Sequence, residues 1–488
     1  MSAECLTWLA LAIPLAGALP IALTGGWPNL RESVTLVTAG LLFLTVASLL
    51  PEVLAGARPS VTLVETLPGL PIALSVEPLG MTFAAVASFL WIVNSIYSIG
   101  YMRGHHESNQ TRFYVCFAVA LFSTMGVAFA GNMLTLFIFY EVLTLSTYPL
   151  VTHSGTPEAM RAGRTYLGIL LSTSIGIQLL AIIWTWVAAG TLDFTPGGIL
   201  AGHIEAPMAA LLLLLYLYGI GKAALMPIHR WLPAAMVAPT PVSALLHAVA
   251  VVKAGVFTVL KISVYIFGID FLATLASSTW LQYIAAATIV IASLVAMTKD
   301  NLKARLAYST ISQLSYIILG AMLANAWGIV GGGMHLVMHA FGKITLFYCA
   351  GAILVAAHKS EVSEMGGLGR TMPLTMAAFL IGSLSIIGLP PMGGLWSKWY
   401  LALGALDANQ VALVAVLMLS SLLNIAYLLP IPIRGFFGSP PAGGAAAAGI
   451  KEAPWPCLLA IAITSLGCLL LFFFPDPVYR LLQLIVTP

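Results

Sequence analysis

Charge is what this chain has least of. Only 8% of its 488 residues are Asp, Glu, Lys or Arg, against 60% hydrophobic residues and a mean hydropathy of +1.00. Soluble domains carry about 25% charged residues, so a water-soluble fold is excluded and a polytopic membrane protein remains. Cysteine is scarce too. Cys5, Cys116, Cys349, Cys457 and Cys468 form no CxxC or Cys/His spacing, so neither a zinc nor an iron–sulfur site is expected and the thiols read as small apolar residues within helices. The lysines of Gly221-Lys222-Ala223 and Gly342-Lys343-Ile344 lack the upstream glycine and following Ser/Thr of a phosphate loop, which removes transport driven by the chain's own ATP hydrolysis. No cofactor, metal or nucleic-acid partner is expected. No basic segment precedes the apolar run Leu6 to Leu23, which reads as a retained first helix.

A span needs ~20 apolar residues, and on that basis the sequence divides into fourteen helices. They run at about 6 to 23, 34 to 50, 80 to 101, 113 to 130, 133 to 151, 164 to 189, 207 to 226, 241 to 266, 278 to 298, 302 to 323, 326 to 357, 372 to 406, 411 to 433 and 455 to 474. Basic residues check the count, because cytoplasmic loops collect Lys and Arg. Loops after odd-numbered helices hold Arg31, Arg103, Arg112, Arg161, Arg164, Arg230, Lys299, Lys303, Arg305, Lys359, Arg370, Arg434 and Lys451, whereas the other side holds Arg58 and Arg480. Both termini therefore face outward, in a cell inner (plasma) membrane. Residues 435 to 454, rich in Gly, Pro and Ala, read as a flexible connector.

The seventh helix is interrupted at Met226-Pro227 and the twelfth at Gly388-Leu-Pro-Pro391, each close to a lysine, Lys222 and Lys398. Breaks five helices apart have opposite orientation, the mark of an inverted repeat whose broken helices meet near the midplane. The expected division is an N-terminal three-helix segment, 1–110, a first repeat of helices four to eight, 111–270, a second of helices nine to thirteen, 271–436, and a connector with the last helix, 437–488. Nothing acidic in the tenth helix mirrors Glu141 of the fifth, where Tyr308 and Ser309 are the nearest polar residues.

A charge near the bilayer centre costs from ~3 to more than 10 kcal/mol, so the few ionisable residues inside spans mark an ion path. Glu141, some 12 Å into its helix at ~1.5 Å per residue, needs a counter-ion, and Lys222 at similar depth is the candidate. His335, His339 and Lys343 recur at i, i+4 and i+8 and share one helical stripe, a spacing suited to a proton relay. The preceding run Gly331-Gly-Gly333 admits a neighbour close to the backbone. Lys253 lies near mid-membrane and joins the candidate path, whereas Lys261 is close enough to its helix end to snorkel as an anchor. His247 sits on a different face from Lys253, equally suited to relay or packing.

The sequences Gly221-Lys-Ala-Ala-Leu-Met-Pro-Ile-His-Arg-Trp-Leu-Pro-Ala-Ala, Ala238-Pro-Thr-Pro-Val-Ser-Ala-Leu-Leu-His247, Val252-Lys-Ala-Gly255, Asn301-Leu-Lys-Ala-Arg-Leu-Ala-Tyr-Ser-Thr-Ile-Ser-Gln313 and Gly388-Leu-Pro-Pro-Met-Gly-Gly-Leu-Trp-Ser-Lys398 closely resemble the antiporter-like membrane subunits of respiratory complex I, Mrp-type cation/proton antiporters and membrane-bound hydrogenases. The resemblance runs from about residue 110 to 436. It implies an all-α membrane fold of fourteen helices with two inverted five-helix repeats and broken helices seven and twelve. It also implies that Glu141 pairs with Lys222, and that Lys253, His335 and His339 continue a hydrated axis to Lys398. Lys398, where some complex I members have Glu, is similar to the D subunit of Mrp antiporters or to a hydrogenase relative. The implied role is proton and monovalent-cation translocation within a complex of other membrane subunits. The alternatives are a proton-pumping subunit of a redox complex and the membrane subunit of an inorganic-carbon uptake system. A long C-terminal lateral helix, as in the largest of these subunits, is not expected.

Overall fold

In the computed structural model, which describes residues 1–439 and 449–486, eleven helices are long and apolar enough to cross a membrane. The middle of the expected connector, residues 440–448, lies outside the described residues, and the first part of it, to Phe437, closes the helix Pro430–Phe437. Leu302–Met322 and the interrupted pairs built on Ala206–Gly219 and Pro373–Ile387 stand where the tenth, seventh and twelfth spans are expected.

Burial orders these helices. The eighth, Thr240–Phe267, is buried over 100% of its apolar window, whereas Ala3–Leu23, Pro28–Leu54 and Val411–Phe437 are buried over only 39%, 39% and 33% of theirs. A helix apolar all round and wrapped by others is a core helix, so the lysines of Thr240–Phe267 face protein and not lipid. The eleventh, Ala326–Ala357, starts at Asn325, whose side chain caps Gly328 N. It crosses close to the second half of the twelfth because Gly331 has no side chain: a Cβ there would fall 2.8 Å from Leu401 N.

One element departs from the all-helical expectation. Ser60–Leu67 (β1) and Leu70–Ser75 (β2) form an antiparallel hairpin around Pro68 and Gly69. The β-branched Val61, Thr62, Val64 and Thr66 before a Pro-Gly turn carry that signal, but the segment is too short and polar to register in a search for spans. The hairpin ties down the start of the fifth helix, Met133–Val151, since Asn132 Nδ2 donates to Pro71 O at 2.7 Å and Ala73 N to Thr135 Oγ1 at 3.0 Å.

Candidate functional site

The seventh helix stops at Gly219, passes through a tight turn at Gly221–Ala223, and bends at Ala224, which has φ +54°. Gly221 O, at the break, accepts from Ala224 N at 3.1 Å and from Trp231 Nε1 at 3.0 Å, so protein satisfies it where lipid cannot. Lys222 lies in the break itself, fully buried. Tyr140 of the fifth helix grips it at both ends. The tyrosine hydroxyl accepts from Lys222 N at 3.1 Å and its carbonyl from Lys222 Nζ at 2.8 Å, with the ammonium 3.2 Å from the ring centroid. Thr144 Oγ1, one turn on, accepts the second ammonium proton at 2.5 Å.

The expected Glu141–Lys222 contact is corrected by this arrangement. Neither oxygen of Glu141 has a hydrogen-bond partner among the described residues, and no ion pair there includes it. Successive residues on an α-helix point ~100° apart, so Tyr140 and Thr144, on one stripe, take the direct hydrogen bonds of the ammonium, while the Glu141 carboxylate makes no direct bond and acts on Lys222 through its charge.

The eighth helix approaches the break backbone to backbone. A Cβ on Gly255 would lie 2.4 Å from Lys222 C and from Ala223 N, so only glycine fits. Two residues earlier, Lys253 Nζ meets His339 Nδ1 at 2.7 Å. The His339 and His335 rings stack at 5.7 Å, as the i, i+4 spacing requires, and His335 Nδ1 meets Ser397 Oγ at 2.9 Å. Tyr316 stacks on His335 at 5.2 Å and lies 5.1 Å beneath the ammonium of Lys398. Lys398, the fifth residue of Gly394–Asp407 after the second break, donates to Ile387 O at 2.8 Å and Ser421 Oγ at 3.0 Å. Lys253, His339, His335 and Lys398 therefore form one buried line through Ser397 and Tyr316.

Lys343 completes the stripe but turns to the tenth helix, donating to Ser309 Oγ at 2.5 Å and Leu306 O at 3.3 Å; Ser309 is also bonded to the Tyr427 hydroxyl at 2.7 Å. His247 lies in a π-helical turn, Leu245–Val249, against the Phe347 ring at 4.5 Å, and neither ring nitrogen has a partner among the described residues. Such widened turns are frequent at functional sites. His335 Nε2 and His339 Nε2 are likewise buried without protein partners. Buried polar atoms are normally satisfied by protein or water, which leaves water as the partner for these ring nitrogens.

Two features escaped the sequence reading. The hydroxyls and carbonyls that hold the lysines belong to Tyr140, Thr144, Ser309, Ile387 and Ser421, residues that look like ordinary span residues. Lys261 is corrected from a snorkelling anchor to a buried ion pair, 3.3 Å from Glu77 Oε1. The available signal was Glu77 before Pro78, an acidic cap at a helix start.

Residues 130–424 match the family described as NADH:quinone oxidoreductase/Mrp antiporter, TM. The chain is 32% identical over 426 residues to NADH-quinone oxidoreductase subunit N of Desulforudis audaxviator, covering 83% of each chain. It is 31% identical over 357 residues to NAD(P)H-quinone oxidoreductase chain 5 of a Synechocystis species, covering 69% of this chain and 50% of that one, so it spans about half the length of that relative. A solved structure of the Mrp complex from Dietzia sp. DQ12-45-1b contains a chain of the same fold, with a TM-score of 0.88 at 23% identity over 100% of this chain and 97% of that one.

Proposed function

Because the chain belongs to the NADH:quinone oxidoreductase/Mrp antiporter family of membrane subunits, we propose that it is the D-type subunit of a multisubunit Mrp antiporter, exchanging a monovalent cation for protons. It is a multi-pass membrane protein of the antiporter type. The observation that carries the reading is the buried line from Lys253 through His339 and His335 to Lys398. Lys222 and Glu141 stand at one end as the switch, with Lys343 and His247 beside the line. Protons move by transfer between these groups and intervening water, while other membrane subunits supply the rest of the path.

The fourteen-span topology, the two five-helix repeats at 111–270 and 271–436, and outward termini in the plasma membrane belong to the same proposal. One arrangement supports them. An 840 Å³ cavity is lined by residues 53, 56–58, 78, 196–197, 264, 269–270, 324–326 and 484–486, which lie at or beyond the ends of even-numbered helices in that count. The basic loops lie at the other helix ends.

A second reading, a proton-pumping subunit of a complex I-like enzyme, is favoured by the quinone oxidoreductase relatives. Everted vesicles carrying the chain with its gene neighbours separate the two. The antiporter reading expects added Na⁺ or K⁺ to collapse a pre-formed pH gradient, and Lys253→Ala to prevent the collapse. Proton uptake that needs a reductant and ignores the cation would transfer the chain to the redox class.

A further inference from the structure

A second charged cluster lies away from the line described above. Glu77 uses its whole carboxylate. Oε2 accepts from Leu79 N at 2.7 Å and the Tyr265 hydroxyl at 2.8 Å, while Oε1 accepts from Gly80 N at 2.7 Å and lies 3.3 Å from Lys261 Nζ. Lys261 also donates to Ala130 O at 2.8 Å and stands over Phe194 and Phe257, at 4.5 and 5.4 Å. All three members, Glu77, Lys261 and Tyr265, are buried.

The cluster has a neighbour on each side. Toward the interior, Lys253, Phe257 and Lys261 follow one another at i, i+4 and i+8 along the eighth helix and so share a stripe, with the lysines ~12 Å apart along the axis. Phe257 fills the interval and is packed on Phe83 at 5.0 Å. Toward the surface lies the 840 Å³ cavity, whose lining includes Pro78 and Val264, the residues next to Glu77 and Tyr265. Arg58 and Asp270 stand on its walls. A buried ion pair is weak as a source of stability compared with apolar packing; one set between a titratable chain and an aqueous cavity has a use.

Resting on the translocation reading, we propose that Glu77, Lys261 and Tyr265 form the port through which protons pass between Lys253 and this cavity, with Phe257 as the apolar plug. Lys261 gives a proton to cavity water and is left as a neutral amine beside the Glu77 carboxylate. When the Phe257 ring moves aside, the amine takes a proton from the Lys253 ammonium. One proton leaves for each that arrives, and the pair returns to zero net charge. Tyr265 and the two backbone donors hold the carboxylate in place while its partner is neutral.

The test uses the assembled complex in sealed vesicles. Glu77→Gln is expected to lower transport by about tenfold or more, the scale of a lost hydrogen bond to a charged group, with Glu77→Asp keeping part of the rate. Phe257→Ala should admit protons without the exchange cation, a leak that a purely structural ion pair would not produce. Should Glu77→Gln fail to assemble, Val264→Cys in a Cys5→Ser background decides. A charged, membrane-impermeant thiol reagent should block transport from the cavity side alone. Native rates in Glu77→Gln and in labelled Val264→Cys, with Lys253→Ala inactive, would remove the port and leave the translocation reading standing. A native rate in Lys253→Ala would remove the reading itself, and the port with it.

Discussion

Lys222 and Lys398 stand at two helix breaks and are held in the same manner. Each ammonium donates to one main-chain carbonyl and one side-chain hydroxyl and lies over a tyrosine ring: Tyr140 O, Thr144 and the Tyr140 ring for the first, Ile387 O, Ser421 and the Tyr316 ring for the second. Hydrogen bonds to a charged group contribute ~1.5–3 kcal/mol each and a desolvated cation–π contact ~2 kcal/mol or more. Together these are of the order of the cost of a mid-membrane charge. The cradle therefore holds each lysine without a direct ion pair. What differs is the company. Lys222 has an unpartnered carboxylate one residue from its cradle, whereas Lys398 has no acid among its hydrogen-bond partners and leads through Ser397 to His335. The comparison teaches that the hydrogen bonds holding Lys222 come from groups other than Glu141, whose carboxylate acts on the lysine through charge alone.

The sharpest break in this comparison is loss of the lysine. Lys222→Ala is expected to stop coupled transport altogether in a vesicle assay, since the switch then holds no transferable proton. Glu141→Gln comes next. Bringing the carboxylate to ~4 Å from the ammonium would change their interaction by about 4 kcal/mol at an effective dielectric of ~20, so its removal should abolish coupling while expression stays near normal. Glu141→Asp should keep part of it. Native rate and pH profile in Glu141→Gln would make the two breaks equivalent and remove the switch. Smaller is His339→Ala, which cuts Lys253 from His335 and should impair coupling without affecting membrane insertion; full activity with both histidines replaced would take them off the path. The smallest effects test the cradles directly. Thr144→Val and Ser421→Ala each delete one acceptor and should slow transport by similar factors of about tenfold. Unequal losses would show that the two cradles are not alike.

The all-helical membrane architecture was legible because apolar runs and proline-marked breaks are strong one-dimensional signals, and the His335–His339 stack was legible because i, i+4 fixes azimuth within one helix. Contacts between helices were harder. Glu141 and Lys222 share a depth, but a sequence states no rotation of one helix against another, and Tyr140 takes the place the acid was expected to fill. Lys261 shows the same limit: distance from a helix end says how near the membrane surface a residue lies, not whether protein covers it. The hairpin Ser60–Ser75 carries a period-2 signal in strands of eight and six residues, shorter and more polar than the apolar runs that mark spans.

Gly255 has a mechanical consequence. Since its Cα is bare, the eighth helix bears on the chain at Lys222 and Ala223 with no side chain between to bend or yield. A displacement at the break would then be passed directly to the helical segment Val251–Ile262, which carries Lys253 two residues away. On the proposed translocation the two lysines would keep time with each other, and a bulkier residue at 255 would put slack or jamming into the linkage before it altered any charge.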